Sequence, residues 1–279
     1  MEHEGRIRRS WRLTATAWGL VRQDRAMVAL ALFGMTSALI WLGVFTLVGG
    51  YSNSGNNQGK VLLAMLIALY PSTFLSVFFN VALASAANAA LDGRRLSFGE
   101  ALGESWKRVG KIALWSLLAA GVGALLAELS SRLPGGGRIA AWLVGAAWGL
   151  ATLFVVPILA TRAPTPGPIT AVRESAGVVK KRWGESISGS ITISAWTAIV
   201  AIPAAVLLVA GFAVIGGDSV VLGAVLVAIG GLLVFSVGAL GSAVQQVFSL
   251  CLYEYATEGT VRQFDEQDLA NPPLRKRRG

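Results

Sequence analysis

VLLAMLIALYPSTFLSVFFNVALASAANAAL, residues 61–91, runs 31 residues without a charged side chain. A helix rises about 1.5 Å per residue and a bilayer's hydrocarbon core is about 30 Å thick, so about 20 apolar residues suffice to cross. The stretch reads as a membrane span with length to spare. Within it Ser72, Ser76, Asn80, Ala84 and Asn88 recur every fourth residue and lay small and amide side chains along one winding face, while Phe74, Leu75, Phe78 and Phe79 point elsewhere. Amides are costly against acyl chains and small residues let backbones approach, so that face is expected to turn toward protein. Pro71 marks an expected kink.

The rest of the chain repeats this character. Its 279 residues are 54% hydrophobic and 14% charged, where a soluble domain carries about a quarter charged. The mean hydropathy is +0.62. Further charge-free runs at 26–49, 112–127, 139–161, 187–215 and 220–252 bring the expected spans to six. Polar or glycine-rich turns at 51–60, around Pro134 and at 216–218 pair them into three hairpins. The fold class is all-α, a polytopic membrane protein. In the fourth run Gly145 and Gly149 stand in a GxxxG spacing, and Pro157 lies toward its end. In the sixth, Gly223, Gly230, Gly238, Gly241 and Gln245 fall within about a third of the helix circumference, a face suited to close packing.

A basic amphipathic segment precedes each hairpin. Ile7, Trp11, Thr14, Trp18 and Val21 fall at spacings of three and four with Arg8, Arg9, Arg12 and Arg22 between them. Ser97 and Glu100 fit a capping box opening a helix with Phe98, Ala101, Leu102, Trp106 and Val109 on one face and Glu104, Lys107, Arg108 and Lys111 on the other. Pro168 opens a third, with Ile169, Val172, Ala176, Val179 and Trp183 as its stripe, opposite Arg173, Glu174, Lys180, Lys181 and Arg182. All three are expected to lie in the cytoplasmic interface. The pattern suggests a threefold repeat of about 80 residues. The chain thus divides into an amphipathic segment 1–25, a six-helix domain 26–252 and a polybasic tail 253–279.

The net charge of +9 is unevenly placed: 21 of the 24 Lys and Arg residues fall on one side of the spans, leaving Lys60, Arg132 and Arg138 opposite. Basic residues translocate poorly, so both termini are expected in the cytoplasm. Each Lys or Arg near an anionic leaflet contributes about 1 kcal/mol. Lys180, Lys181 and Arg182, with Arg275, Lys276, Arg277 and Arg278 in the tail, are the expected contacts to acidic lipid; the plainer reading is that they only set topology. The aromatics among these basic segments belong to the lipid-facing stripes, so no nucleic-acid partner is expected.

Catalytic chemistry finds little to work with. The expected spans hold no His, Asp, Lys or Arg, whereas an intramembrane hydrolase needs a nucleophile with a base, paired aspartates or a metal cluster. Ser72, Ser76, Ser194 and Ser236 read as packing hydroxyls. Glu128 and Glu254, at span ends, read as interface carboxylates. The single cysteine, Cys251, leaves no internal disulfide or Cys-based zinc site, and the single histidine, His3, lies near the N-terminus. Neither an enzyme nor a cofactor is expected. The polar set Ser72, Ser76, Asn80, Asn88, Gln245 and Gln246 has two readings, glue between helices or the lining of a path for a neutral or lipid-like substrate.

Several motifs are familiar in their order: SWRLTATAWGLVRQDRAM at 10–27, FFN at 78–80, GAAW at 145–148, VVP at 155–157 and WGE at 183–185. The chain resembles a family of uncharacterised bacterial integral membrane proteins with about six helices. The resemblance implies a bacterial inner (plasma) membrane location and transfers no catalytic residue. The expected function is a non-enzymatic scaffold, or a subunit of an envelope assembly with membrane-protein partners. The alternative is a permease or lipid-handling protein. A continuous cavity around Asn80, Asn88 and Gln245 would favour transport, and pairing across packed helices would favour the scaffold.

Overall fold

The computed structural model describes residues 17–50, 58–133, 136–181, 183–215 and 219–258, and every regular element among them is an α-helix. In chain order these are α1 Ala17–Gln23, α2 Arg25–Gly50, α3 Gln58–Leu91, α4 Phe98–Trp106, α5 Val109–Arg132, α6 Gly136–Ala151, α7 Val155–Thr161, α8 Pro168–Lys181, α9 Trp183–Ile215 and α10 Val220–Glu258. A short helix precedes a pair of long segments three times: α1 before α2 and α3, α4 before α5 and α6–α7, α8 before α9 and α10. Among the described residues five segments are long and apolar enough to cross a membrane, namely Leu69–Leu91, Val109–Arg132, Ile139–Thr161, Thr197–Ile215 and Val220–Thr257. The bent pair α1–α2, which turns through 94°, makes a sixth if counted as one span.

Local chemistry sets the joints. At the α1–α2 bend the Asp24 carboxylate accepts the Ala26 N–H at 2.8 Å, supplying one of the donors a helix start leaves open. α3 stops at Gly93, whose φ of 75° suits a residue without Cβ. There the Arg94 N–H donates to the Ala89 carbonyl at 2.9 Å and the Gly93 N–H to Ala90 at 3.0 Å, a Schellman closure. The expected capping box opens α4: Ser97 Oγ accepts the Glu100 N–H at 3.3 Å, and Glu100 Oε2 accepts the Ser97 N–H at 2.7 Å.

The fourth span is not one helix. It breaks at residues 152–154 between α6 and α7. Pro157 has no N–H to donate and its ring crowds the carbonyl four residues back, that of Leu153, so the break falls there. Pro71 and Pro203, by contrast, lie inside the unbroken helices α3 and α9.

The core gathers at the end of the bundle that carries α1, α4 and α8. α3 is its centre and packs against α2, α4, α5, α7 and α10. From Val81 to Ala87 every α3 side chain is buried, as are Phe154 and Ile158 beside it and Val247 and Phe248 of α10. Each short helix buries a pair four residues apart beginning with alanine: Ala17 and Val21, Ala101 and Ser105, Ala171 and Ser175. The buried stripe of α8 is Ala171, Ser175, Val178 and Val179. Ile169, expected on that stripe, is 70% exposed; at about 100° per residue it sits nearly opposite Ala171. Residues 253–258, read as the start of the tail, continue α10, while Ile7, Trp11, Thr14 and residues 259–279 lie outside the described residues, as do His3 and the turn at 216–218.

α9 and α10 approach to backbone contact. A Cβ on Gly230 would stand 2.5 Å from the Leu208 nitrogen, one on Gly223 2.6 Å from the Ile215 nitrogen, and one on Gly241 2.5 Å from the Thr197 side chain. Gly238 instead faces Met35 of α2, at 3.3 Å. The glycine face read from the sequence is therefore a contact face shared between two neighbours. The GxxxG of α6 is not: Gly145 would meet only Leu126 at 3.9 Å and Gly149 nothing.

Thermal unfolding in detergent should separate the two cases. Gly230→Ala is expected to cost about 1–3 kcal/mol through overpacking against backbone that cannot retreat. Gly149→Ala should cost nothing measurable.

Candidate functional site

The polar side chains of the spans satisfy themselves first. Ser72 Oγ donates to the Leu69 carbonyl at 3.0 Å, Ser85 to Val81 at 2.8 Å, Ser236 to Leu232 at 2.8 Å and Ser242 to Ala239 at 2.8 Å. Asn80 Nδ2 reaches Ser76 Oγ at 3.5 Å on its own helix, and no hydrogen bond from it to another helix occurs among the described residues. Asn88 Oδ1 and Gln246 Oε1 are buried and meet no hydrogen-bond donor among the described residues. Gln246 follows Ala239 and Ala243, both buried, at the spacing of one helix face.

Gln245 is elsewhere. It lines a groove of about 440 Å³ between α9 and α10, with Thr197, Ala198 and Ala201 on one wall and Val234 and Gly238 on the other. None of the other five candidates lines this groove.

Two buried serines that carried no weight in the sequence make the connections between elements. Ser105 of α4 donates to the Phe78 carbonyl of α3 at 2.9 Å. Ser175 of α8 accepts the Phe154 N–H at 3.0 Å, and Phe154 stands at the break in span four. A backbone N–H freed by a broken helix has no water to meet in lipid, so a hydroxyl from a neighbouring helix takes the place of the missing carbonyl. The Leu153 N–H turns to the Leu150 carbonyl, and the Gly149 carbonyl it leaves accepts from Thr152 Oγ1 at 3.3 Å. Each serine follows its helix's buried alanine by four residues, the one signal that could have marked it.

At the same end Glu174 of α8 accepts from the Tyr253 hydroxyl at 2.8 Å and meets Arg162 Nε at 3.4 Å, joining α8 and α10 to the segment after α7. Glu254, expected at the interface, is 3% exposed and so belongs to the core. It shares α10 with Val247, Phe248 and Cys251, whose packing carries it inside. Glu128 is partly exposed and pairs with Arg132 one turn on.

On the α4 surface Glu104 bridges Lys107 at 2.6 Å and Arg108 at 2.9 Å. The hydrogen bonds from Lys107 and then Arg108 hold its carboxyl below the ordinary value of 4.5. The Ser97 backbone N–H, and then the Ser97 hydroxyl, do the same for Glu100. Trp106 is 68% exposed and sets its edge on Phe78 at 6.3 Å, a ring placed as an interfacial anchor would be. Lys180 is exposed at the end of α8. The side chain of Lys181, and Arg182, Arg275, Lys276, Arg277 and Arg278 altogether, lie outside what the structure describes.

Residues 60–263 match a family of unknown function (DUF6159). No curated protein and no solved structure matches the chain.

Ser175→Ala should strand the Phe154 N–H and lower stability by about 1–3 kcal/mol, read by thermal unfolding. Carboxylates with depressed pKa stabilise fully above the unfolded value and lose their effect as pH falls through the folded one. Hydrogen-exchange protection across residues 98–106 is therefore expected to hold near neutrality and to fall as the pH drops below 4.5.

Proposed function

As the chain belongs to that family, which brings no activity with it, we propose from its residues alone that it is a non-enzymatic membrane scaffold, or a subunit of a larger envelope assembly. In this reading it crosses a bacterial inner membrane six times as three hairpins, with α1, α4 and α8 along the cytoplasmic face and both termini inside. Asn80 does not show the pairing across helices expected of a scaffold, and the support comes instead from polar side chains that are not gathered in one groove. Ser72, Ser76 and Asn80 are engaged along α3 itself, while Gln245 lines a groove that the other five do not reach. A transport site would gather such groups around one substrate.

The basic segments support the orientation. Arg94, Arg95, Lys107, Arg108, Lys111, Arg162, Arg173 and Lys180 all precede or follow the spans at the end where α4 and α8 pack. Anionic lipid of the cytoplasmic leaflet is their proposed partner, through Lys180, Lys181 and Arg182 and through Arg275, Lys276, Arg277 and Arg278 in the tail. Neighbouring membrane proteins are the proposed partners within the bilayer.

A second reading, a permease or lipid-handling protein, draws on one observation. Asn88 Oδ1, Ser116 Oγ and Gln246 Oε1 are buried polar atoms that meet no protein partner among the described residues. Such atoms call for water or a polar ligand.

Two measurements decide between the readings. Cysteines placed at Lys180 and Lys60 should react with impermeant reagents from the cytoplasmic and opposite sides respectively, and the reverse pattern overturns the orientation. Vesicles holding the protein should show solute flux and lipid scrambling at the protein-free baseline. Activity that disappears in Gln246→Leu would establish the second reading instead.

A further inference from the structure

The groove between α9 and α10 has the character of a hydrocarbon site. Four of its lining residues are polar by name, Ser194, Thr197, Ser242 and Gln245, yet its accessible surface is almost wholly apolar. Ser242 shows why: its hydroxyl donates to the Ala239 carbonyl at 2.8 Å, so the wall presents carbon. A partner helix held by hydrogen bonds would need the donor that Ser242 spends on its own helix. An acyl chain needs none.

Depth and charge narrow the occupant further. Counting about 1.5 Å per residue from the start of the apolar run at Ile187, Ser194 and Ala201 lie about 10 and 20 Å along α9. Half of a hydrocarbon core of about 30 Å is about 15 Å, so the groove straddles the bilayer midplane, where the ends of inner-leaflet lipid tails reach. At the head of α9 the chain reads Lys180-Lys181-Arg182, and Lys180 is exposed there. Positive charge ahead of the helix that forms one wall of an apolar groove complements a lipid with a negative headgroup. The bare faces around the groove, Ile199 and Ile202 among them, are exposed and apolar, as a surface against bulk lipid would be.

We propose that this groove seats one acyl chain of an anionic phospholipid of the cytoplasmic leaflet, its headgroup held by Lys180 at the α8–α9 junction. The site rests on the orientation put forward above, and labelling of a cysteine at position 180 tests that orientation separately.

The test uses the full chain in nanodiscs of phosphatidylglycerol or of phosphatidylcholine, each with a trace of the same lipid bearing a photoreactive acyl chain. Adducts mapped by mass spectrometry should concentrate at 194–201 and 234–245. Yield is expected to be about fivefold higher with phosphatidylglycerol, and Lys180→Ala should erase that preference. Ala198→Phe, which fills the groove from an exposed position, should cut groove adducts about tenfold. Val206→Phe, on a bare face of α9, should leave them unchanged and controls for folding. Adducts spread evenly over all exposed faces, or unchanged in Ala198→Phe, overturn the groove. Equal yields from the two lipids overturn the headgroup contact. Crosslinks between two chains at position 198 replace the lipid with a second copy.

Discussion

In hydrocarbon there is no water to complete a hydrogen bond, so every backbone group released by an irregularity must find a partner inside the protein. That requirement organises the end of the bundle where the core lies. Pro157 breaks span four, and the break is tolerable because Ser175 on α8 accepts the Phe154 N–H. α8 is thereby part of the core packing. Its small buried stripe, Ala171 and Ser175, lets it approach closely enough to reach backbone, while Tyr253 and Arg162 hold Glu174 on the same helix. α4 does the equivalent work for α3 through Ser105 and the Phe78 carbonyl.

The two ends of the molecule are consequently unlike. Where the short helices pack, the inner halves of α3 and α10 are buried together with α7. Farther along α9 and α10 the large side chains, such as Val206, Phe212 and Leu222, face outward. Those two helices hold each other by backbone proximity at Gly223 and Gly230 rather than by interlocked side chains. In a bilayer apolar side chains gain nothing by leaving lipid for protein, so close van der Waals packing is what remains to hold a hairpin.

Much of this was legible beforehand. The capping box at Ser97 and Glu100, the stop after Leu91 and the glycine face of α10 are local or periodic features, and they stand in the structure as read. The polar cluster was a different matter. Periodicity places Asn80 on a face but cannot say whether its amide reaches another helix, and here it turns to Ser76 on its own. Ile169 shows the same limit: an apolar residue at the right spacing was counted into a stripe whose centre lay at the smaller Ala171 and Ser175. Glu254 was placed by its distance from the apolar run, and it is buried because α10 continues helical past it, among packed neighbours.

Sequence alone determined that this chain consists of long apolar helices, that α3 stops after Leu91 and α4 opens at Ser97, and that its basic residues lie between the helices in a threefold alternation. These follow from charge, run length and backbone chemistry, which act within a few residues. Tertiary structure alone decided which small residues become contacts, why Gly230 packs on backbone and Gly149 does not, and which serine would answer for a proline eighteen residues away. Those outcomes depend on which helix stands opposite, a relation that no spacing along one chain encodes.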